Sequence, residues 1–216
     1  MQITWRLEKL LVTFVFIVIA AYGYFYANEL NHTLEKTGAS FVNIKTRWDD
    51  WIPFIPEFVY PYYIYYPFML LVVPISRTRI QFYHVVTAFA ILEASAILTF
   101  ILFPTKAIRP EIIPTDITTI LIHNIFSLDL GYNLLPSLHV GHSVLVSVFF
   151  YVYYRKFFIP VFMVAISICL STVFIKQHYV IDIPFGIIYA LSAYNLAKYL
   201  IYKNKSIFAV ENGKNW

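Results

Sequence analysis

Residues 10–27, "LLVTFVFIVIAAYGYFYA", run uncharged from end to end. About 20 mostly apolar residues cross the hydrocarbon core of a bilayer as a helix. Five further segments have this character: 58–75, rich in Tyr and Pro, then 80–103, 138–154, 157–175 and 180–202. Charged residues make up 13% of the 216-residue chain, where soluble domains carry about 25%. The pattern predicts an all-α integral membrane protein, a six-transmembrane-helix bundle forming a single membrane-embedded domain over residues 1–216. The first run is too long for a secretory signal and has no small-residue cleavage site, so it reads as a retained helix. Cys169 lies inside an apolar run and has no second cysteine to pair with, which points to packing.

The net charge of +4 does not indicate nucleic acid, because the basic residues sit in short loops between apolar segments. Ten of the sixteen, including Arg6, Lys9, Arg77, Arg79, Arg155, Lys156 and Lys198, fall on one side of the expected bundle. Lys36, Lys45, Arg47, Lys106, Arg109 and Lys176 fall on the other. The positive-inside rule places both termini in the cytoplasm and the three remaining loops outside, fitting a multi-pass plasma-membrane protein.

Two polar motifs interrupt the apolar runs: "NLLPSLHVGHS", from Asn133 to Ser143, and "KQHYVID", from Lys176 to Asp182. They flank the fourth and fifth spans, and two crossings bring them back to one side. His178 and Asp182 are four apart, on one face if the stretch is helical. A carboxylate bonded to one imidazole nitrogen fixes the tautomer and frees the other nitrogen for attack or proton transfer; a polar pair at a helix start is the plainer reading. Ser137 suits an N-cap, and a helix start offers unpaired N–H groups to an anion. His139 follows in the first turn. His142, one turn further on, is either a supporting residue or a polar packing one. Lys106 and Arg109, in "FPTKAIRP", either snorkel at the interface or grip phosphate oxygens. Two histidines, a carboxylate, fixed cations and a helix start suit phosphoryl transfer.

These motifs resemble the phosphatidic acid phosphatase type 2 superfamily: Arg109-Pro110, "PSLH" at Pro136 to His139, and Ser171 followed by His178 and Asp182. The resemblance covers the third span to the sixth. Leu102 stands where the family has a Lys, Leu138 where it has Gly, and Thr172 where it has Arg; Lys106 and Lys176 are the nearby replacements. "PSLHV" with "QHYVID" looks more like the branch containing inositol phosphorylceramide synthases, and "HYVID" is also similar to sphingomyelin synthases. The resemblance implies a six-helix membrane fold, a lipid phosphate as substrate and a reaction without cofactor or metal. It implies His178 as the nucleophile that becomes a phosphohistidine and Asp182 as its orienting partner. His139 would be the acid and base, with Lys106, Arg109, Ser137 and Lys176 around the phosphate. The expected activity is a lipid-phosphate phosphatase acting on a monoester or diphosphate from the extracytoplasmic side, with head-group phosphotransfer as the alternative. The lipid and the oligomeric state are left open.

Asp49 and Asp50 read as solvated or helix-start residues rather than a metal site. His123 has no assigned role. Glu93, inside the third span, is either functional or protonated and bonded to a neighbouring helix. A haem cytochrome or a transporter explains the polar residues less well, because neither accounts for three ordered motifs.

Overall fold

A computed structural model describes residues 2–203. The described chain is helical: α1 (Gln2–Lys36), α2 (Arg47–Trp51), α3 (Val59–Leu70), α4 (Val72–Ile75), α5 (Arg79–Leu102), α6 (Ile117–Leu128), α7 (Leu138–Tyr153), α8 (Phe158–Phe174) and α9 (Asp182–Lys203). Short 3-10 turns lead into α3 and α8. Extended pairing among the described residues amounts to a parallel bridge between Val42 and Thr105.

Four segments are long and apolar enough to cross a membrane: Thr4–Lys36, Pro56–Ile75, Arg79–Leu102 and Arg155–Phe174. The protein is therefore membrane-embedded. Helices α6 and α7 are apolar but shorter, and the 22-residue α9 packs beside α5 and α7. The expected span at 58–75 is interrupted at Leu71. Pro74 has no N–H for the carbonyl of Leu70 and its ring crowds that carbonyl, which breaks the helical ladder.

Residues 104–137, expected as a loop, contain helix α6. Asp116 caps it by accepting from the Thr118 and Thr119 amides, while Thr119 Oγ1 accepts from the Asp116 amide. This reciprocal pairing is a capping box.

The loops sort to two ends of the bundle. At one end Glu8 binds Arg79 at 2.7 Å and accepts from Tyr83 at 2.8 Å. There Lys9 donates to the Ser76 carbonyl, and Arg77 meets Tyr154. At the other end Val42 reaches Thr105, Lys106 pairs with Glu35, and Val180 N–H donates to Asp49 at 2.8 Å.

Close helix approach sets the centre. A Cβ on Gly186 of α9 would lie 2.8 Å from the Ser137 carbonyl and 2.9 Å from Val140 Cβ. Apolar lipid gives helices little hydrophobic reason to associate, so tight contact over small residues matters. Here it locks the start of α7 against the first turns of α9, which fixes the polar motifs relative to each other. Leu92, Leu145, Phe149, Ile168 and Ala190 fill the adjoining core.

Candidate active site

The two motifs meet. The His139 and His178 rings lie edge to face with centroids 5.6 Å apart. His178 sits in the turn between α8 and α9, where the Thr172 carbonyl accepts both the Gln177 and His178 amides at 2.9 Å. Its Nδ1 lies 3.0 Å from Asp182 Oδ2. That oxygen also accepts from the Tyr179 amide at 2.9 Å, and Asp182 is wholly buried. With Nδ1 engaged, Nε2 is the nitrogen left for chemistry.

Ser137 caps α7, its hydroxyl accepting from the Val140 amide. His139 is clasped between the rings of Tyr62 and Tyr65, at centroid distances of 4.5 and 4.3 Å. Sequence reading gave these tyrosines no part, because they look like interfacial residues in "YPYYIYYPF".

Arg109 enters from the segment between α5 and α6. The Ala107 amide donates to the Gly131 carbonyl at 2.8 Å, and the Ile108 amide to the Tyr179 hydroxyl at 2.9 Å. Its guanidinium lies over Phe126 at 4.7 Å and donates through Nη1 to the Asp129 carbonyl. Nε and Nη2 are buried without a hydrogen-bond partner, although Nη2 is ion-paired with Asp129 Oδ1 at 3.6 Å. Buried donors of this kind are costly unless something accepts from them.

Asp129, absent from the sequence-level site, organises this wall. Its carboxylate accepts from Tyr24 (2.7 Å), Asn28 (3.0 Å), Gln177 (2.7 Å) and the Gly131 amide (2.8 Å). Burial pushes its pKa up, but the Arg109 charge and the hydrogen bonds from Tyr24, Gly131 and Asn28 outweigh that and hold it below the ordinary carboxylate range. An isolated Asp between apolar residues, just before Gly131, was the only signal in the sequence.

The two lysines stand differently. Lys176 adopts a left-handed backbone, φ 60°, uncommon without glycine. Its ammonium donates to the carbonyls of Asp49 and Ile52, and burial lowers its pKa. Lys106 turns away: it is bound to Glu35 at the protein surface, 41% exposed, over the Tyr132 ring. The structure brings Arg109, Lys176 and His178 to one polar pocket, with Asp182 behind His178 and the His139 ring against it from the other side. Ser137 is buried as the cap of α7 and lines neither pocket, and Lys106 lies outside. Asp49 is a helix-start residue in the first turn of α2, buried rather than solvated, its carboxylate tied to Thr46 and to the Val180 amide. Asp50 pairs with Lys45 in the open. Among the described residues no group of three His, Cys, Asp or Glu is placed to hold a metal.

The histidines open onto different chambers. One of about 400 Å³ is walled by apolar and aromatic side chains of α1, α3 and α5 and reaches His139, His142, Glu93 and Asp129. The other, of about 370 Å³, is polar and reaches His178, Arg109, Lys176, Lys45, Asp49 and Asp50. Asp129 lines the first and Arg109 the second, and the two side chains are 3.6 Å apart.

A family model described as the PAP2 superfamily matches residues 83–206. The chain belongs to the PAP2 superfamily. Searches of curated proteins and of solved structures find no match. The match to the PAP2 superfamily begins within α5 and takes in Arg109, Ser137, His139, His178 and Asp182. PAP2 proteins are in general phosphatases and phosphotransferases, which makes this chain an enzyme of that broad type.

Proposed function

We propose that the protein is a metal-independent lipid-phosphate phosphatase that works through a phosphohistidine on His178. The observation that carries this reading is the placement of the histidine pair between an apolar and a polar chamber. A lipid phosphate has this same division. Its hydrocarbon would lie in the apolar chamber, its ester oxygen near His139, and its phosphate toward Arg109, whose Nε and Nη2 need acceptors.

In the first step the Nε2 lone pair of His178 attacks phosphorus and the bond to the lipid oxygen breaks. His139 relays the proton of the incoming phosphate monoanion to that oxygen, and the lipid leaves as an alcohol. Asp182 stabilises the positive charge that develops on His178. In the second step neutral His139 takes a proton from water as the water oxygen attacks phosphorus. The N–P bond breaks, His139 passes that proton to the inorganic phosphate as it departs, and both histidines return to their starting states. Hydrogen-bond donors aimed at the phosphoryl oxygens lower the barrier to each step.

The lipid side of the scissile bond would lie on the His139 side, and a monoester or a diphosphate is a candidate there. The polar chamber supports a second reading, head-group transfer like that of inositol phosphorylceramide synthases. Its volume of about 370 Å³ falls in the range of small-molecule sites, about 300–1,000 Å³, so a polar substituent on the phosphate has room there. We place the site on the extracytoplasmic side of the plasma membrane, in a six-crossing bundle with cytoplasmic termini, because basic residues concentrate at the opposite end.

The test is a purified-protein assay on a lipid phosphate monoester in EDTA, with and without inositol. Free phosphate in water alone, at a rate that inositol does not exceed, is expected. Little phosphate without an acceptor and rapid ester formation with one would establish transfer instead, and activity that needs added Mg²⁺ would end the metal-free mechanism.

A further inference from the structure

Within the apolar chamber one wall is polar. Glu93 lies well inside α5 and is 6% exposed. His142, on α7, is buried beside it and stacks on Phe89 with planes 6° apart. His142 Nδ1 is bonded to the Tyr65 hydroxyl at 2.7 Å. Its Nε2 lies 3.3 Å from Glu93 Oε2, yet the geometry is not that of a hydrogen bond, and Nε2 has no hydrogen-bond partner. An acid and an imidazole inside a membrane bundle are costly. A purely structural pair would be expected to close its hydrogen bond; this one leaves a ring nitrogen and a carboxylate side by side, both lining a cavity.

Position gives the pair a meaning. His142 lies one helical turn beyond His139, and residues three apart on a helix have Cβ atoms about 5–6 Å apart. A lipid whose ester oxygen sits at His139 therefore presents the carbons a few bonds away to His142 and Glu93. A hydroxyl there donates to the carboxylate and accepts from the imidazole, satisfying both.

We propose that Glu93 and His142 form a recognition point in the apolar chamber for a hydroxyl that the lipid carries within a few bonds of its phosphate ester. The inference rests on the lipid-phosphate reading above and narrows it. The preferred substrate is a lipid phosphate with a neighbouring free hydroxyl, rather than a plain hydrocarbon or polyprenyl phosphate. Tyr65, which holds His142 and packs on His139, is a positioning residue that ties recognition to the reacting end.

The test compares hexadecyl phosphate with the same compound carrying a hydroxyl on the carbon next to the ester-bearing one. For wild-type protein the hydroxylated compound is expected to show about a tenfold higher kcat/KM, the effect of one well-made buried hydrogen bond. In His142→Phe, which keeps a ring against Phe89, and in Glu93→Leu, the ratio is expected to fall toward one. Equal kcat/KM for the two compounds in wild type overturns the proposal, and so does a ratio that survives both substitutions. The wild-type comparison stands even where a variant does not fold. Hydrolysis of neither compound would remove the phosphatase reading, and calorimetry then decides the recognition point by itself. Tighter binding of the hexadecyl diol than of hexadecanol to wild type in detergent supports it, and equal binding overturns it.

Discussion

The Arg109 guanidinium crosses the backbone of Gly131 so closely that a Cβ there would lie 3.0 Å from Cζ. Gly131 also has φ +82°, in the region that favours glycine. Both facts say the same thing about Gly131→Ala: it strains the backbone and pushes the guanidinium off its seat. The variant is expected to lose about 1 kcal/mol or more of stability. It should lose more activity than this explains, at a temperature where it is still folded. Thermal melts alongside kcat/KM check it; normal turnover in a destabilised but folded variant would show that Arg109 need not sit where it does.

Asp129 sets a pH dependence. Its folded pKa lies below the ordinary aspartate value. A carboxyl lowered in this way contributes its stability in full above the unfolded pKa and loses it as pH falls through the folded one. Asp129→Asn is therefore expected to destabilise most near neutral pH, by about 3 kcal/mol, since it leaves Arg109 without its counter-charge in a buried network. The gap to wild type should narrow as the pH drops below about 4. Melting temperatures of both proteins across that range are the measurement, and a gap that stays constant down to acid pH would mean Asp129 does not act through its charge.

Turnover should divide the site residues by role. His178→Ala is expected to abolish activity. His139→Ala should let the phosphoenzyme accumulate from a substrate whose leaving group departs unaided, because the second step then lacks its base. Asp182→Asn should reduce kcat by several orders of magnitude; about 10⁴ is the loss for the equivalent Asp-to-Asn change in a serine protease triad. Acid-labile radiolabel on the protein, read from quenched gels, distinguishes the three, and near-wild-type rates in purified His178→Ala would exclude it as nucleophile.

Much of the site was legible because its residues come in short motifs. Ser137 and His139 share a helix start, as their spacing suggested. His178 and Asp182 do meet at 3.0 Å, but not on a helical face: His178 lies in the turn that precedes α9 and Asp182 is its first residue. What escaped lies further apart in the chain. Asp129 takes its partners from Tyr24, Asn28, Arg109 and Gln177, which only the fold assembles. Lys106 was grouped with Arg109 by closeness, but they are three residues apart in a non-helical segment. Residues an odd number apart on an extended chain face opposite ways, and Lys106 accordingly leaves the site for Glu35. Helix α6 was missed because its 12 residues are too few for a span; its Asp116–Thr119 capping pair was the available signal. The count of crossings is the least legible part. The sequence pattern suggests six, whereas four described segments are long and apolar enough on their own, and α7 is held in the bundle by close contact with α9.

Membrane orientation is open to direct test, because Lys106 and Arg155 lie at opposite ends of the bundle. Lys106 sits beside Glu35 at the end that carries His178, while Arg155 begins the short turn into α8. In the orientation proposed above, the Arg155 end faces the cytoplasm. Single cysteines replacing each residue, in a background where Cys169 is changed to Ala, should therefore differ toward an impermeant thiol reagent on intact cells. Position 106 is exposed enough to react, and its pairing with Glu35 is a surface contact of small energetic weight, so its replacement should leave the fold intact. Labelling is expected at 106 and, at 155, only after the cells are permeabilised. The reverse pattern would turn the bundle over and place the histidine pair, with both chambers, at the cytoplasmic face.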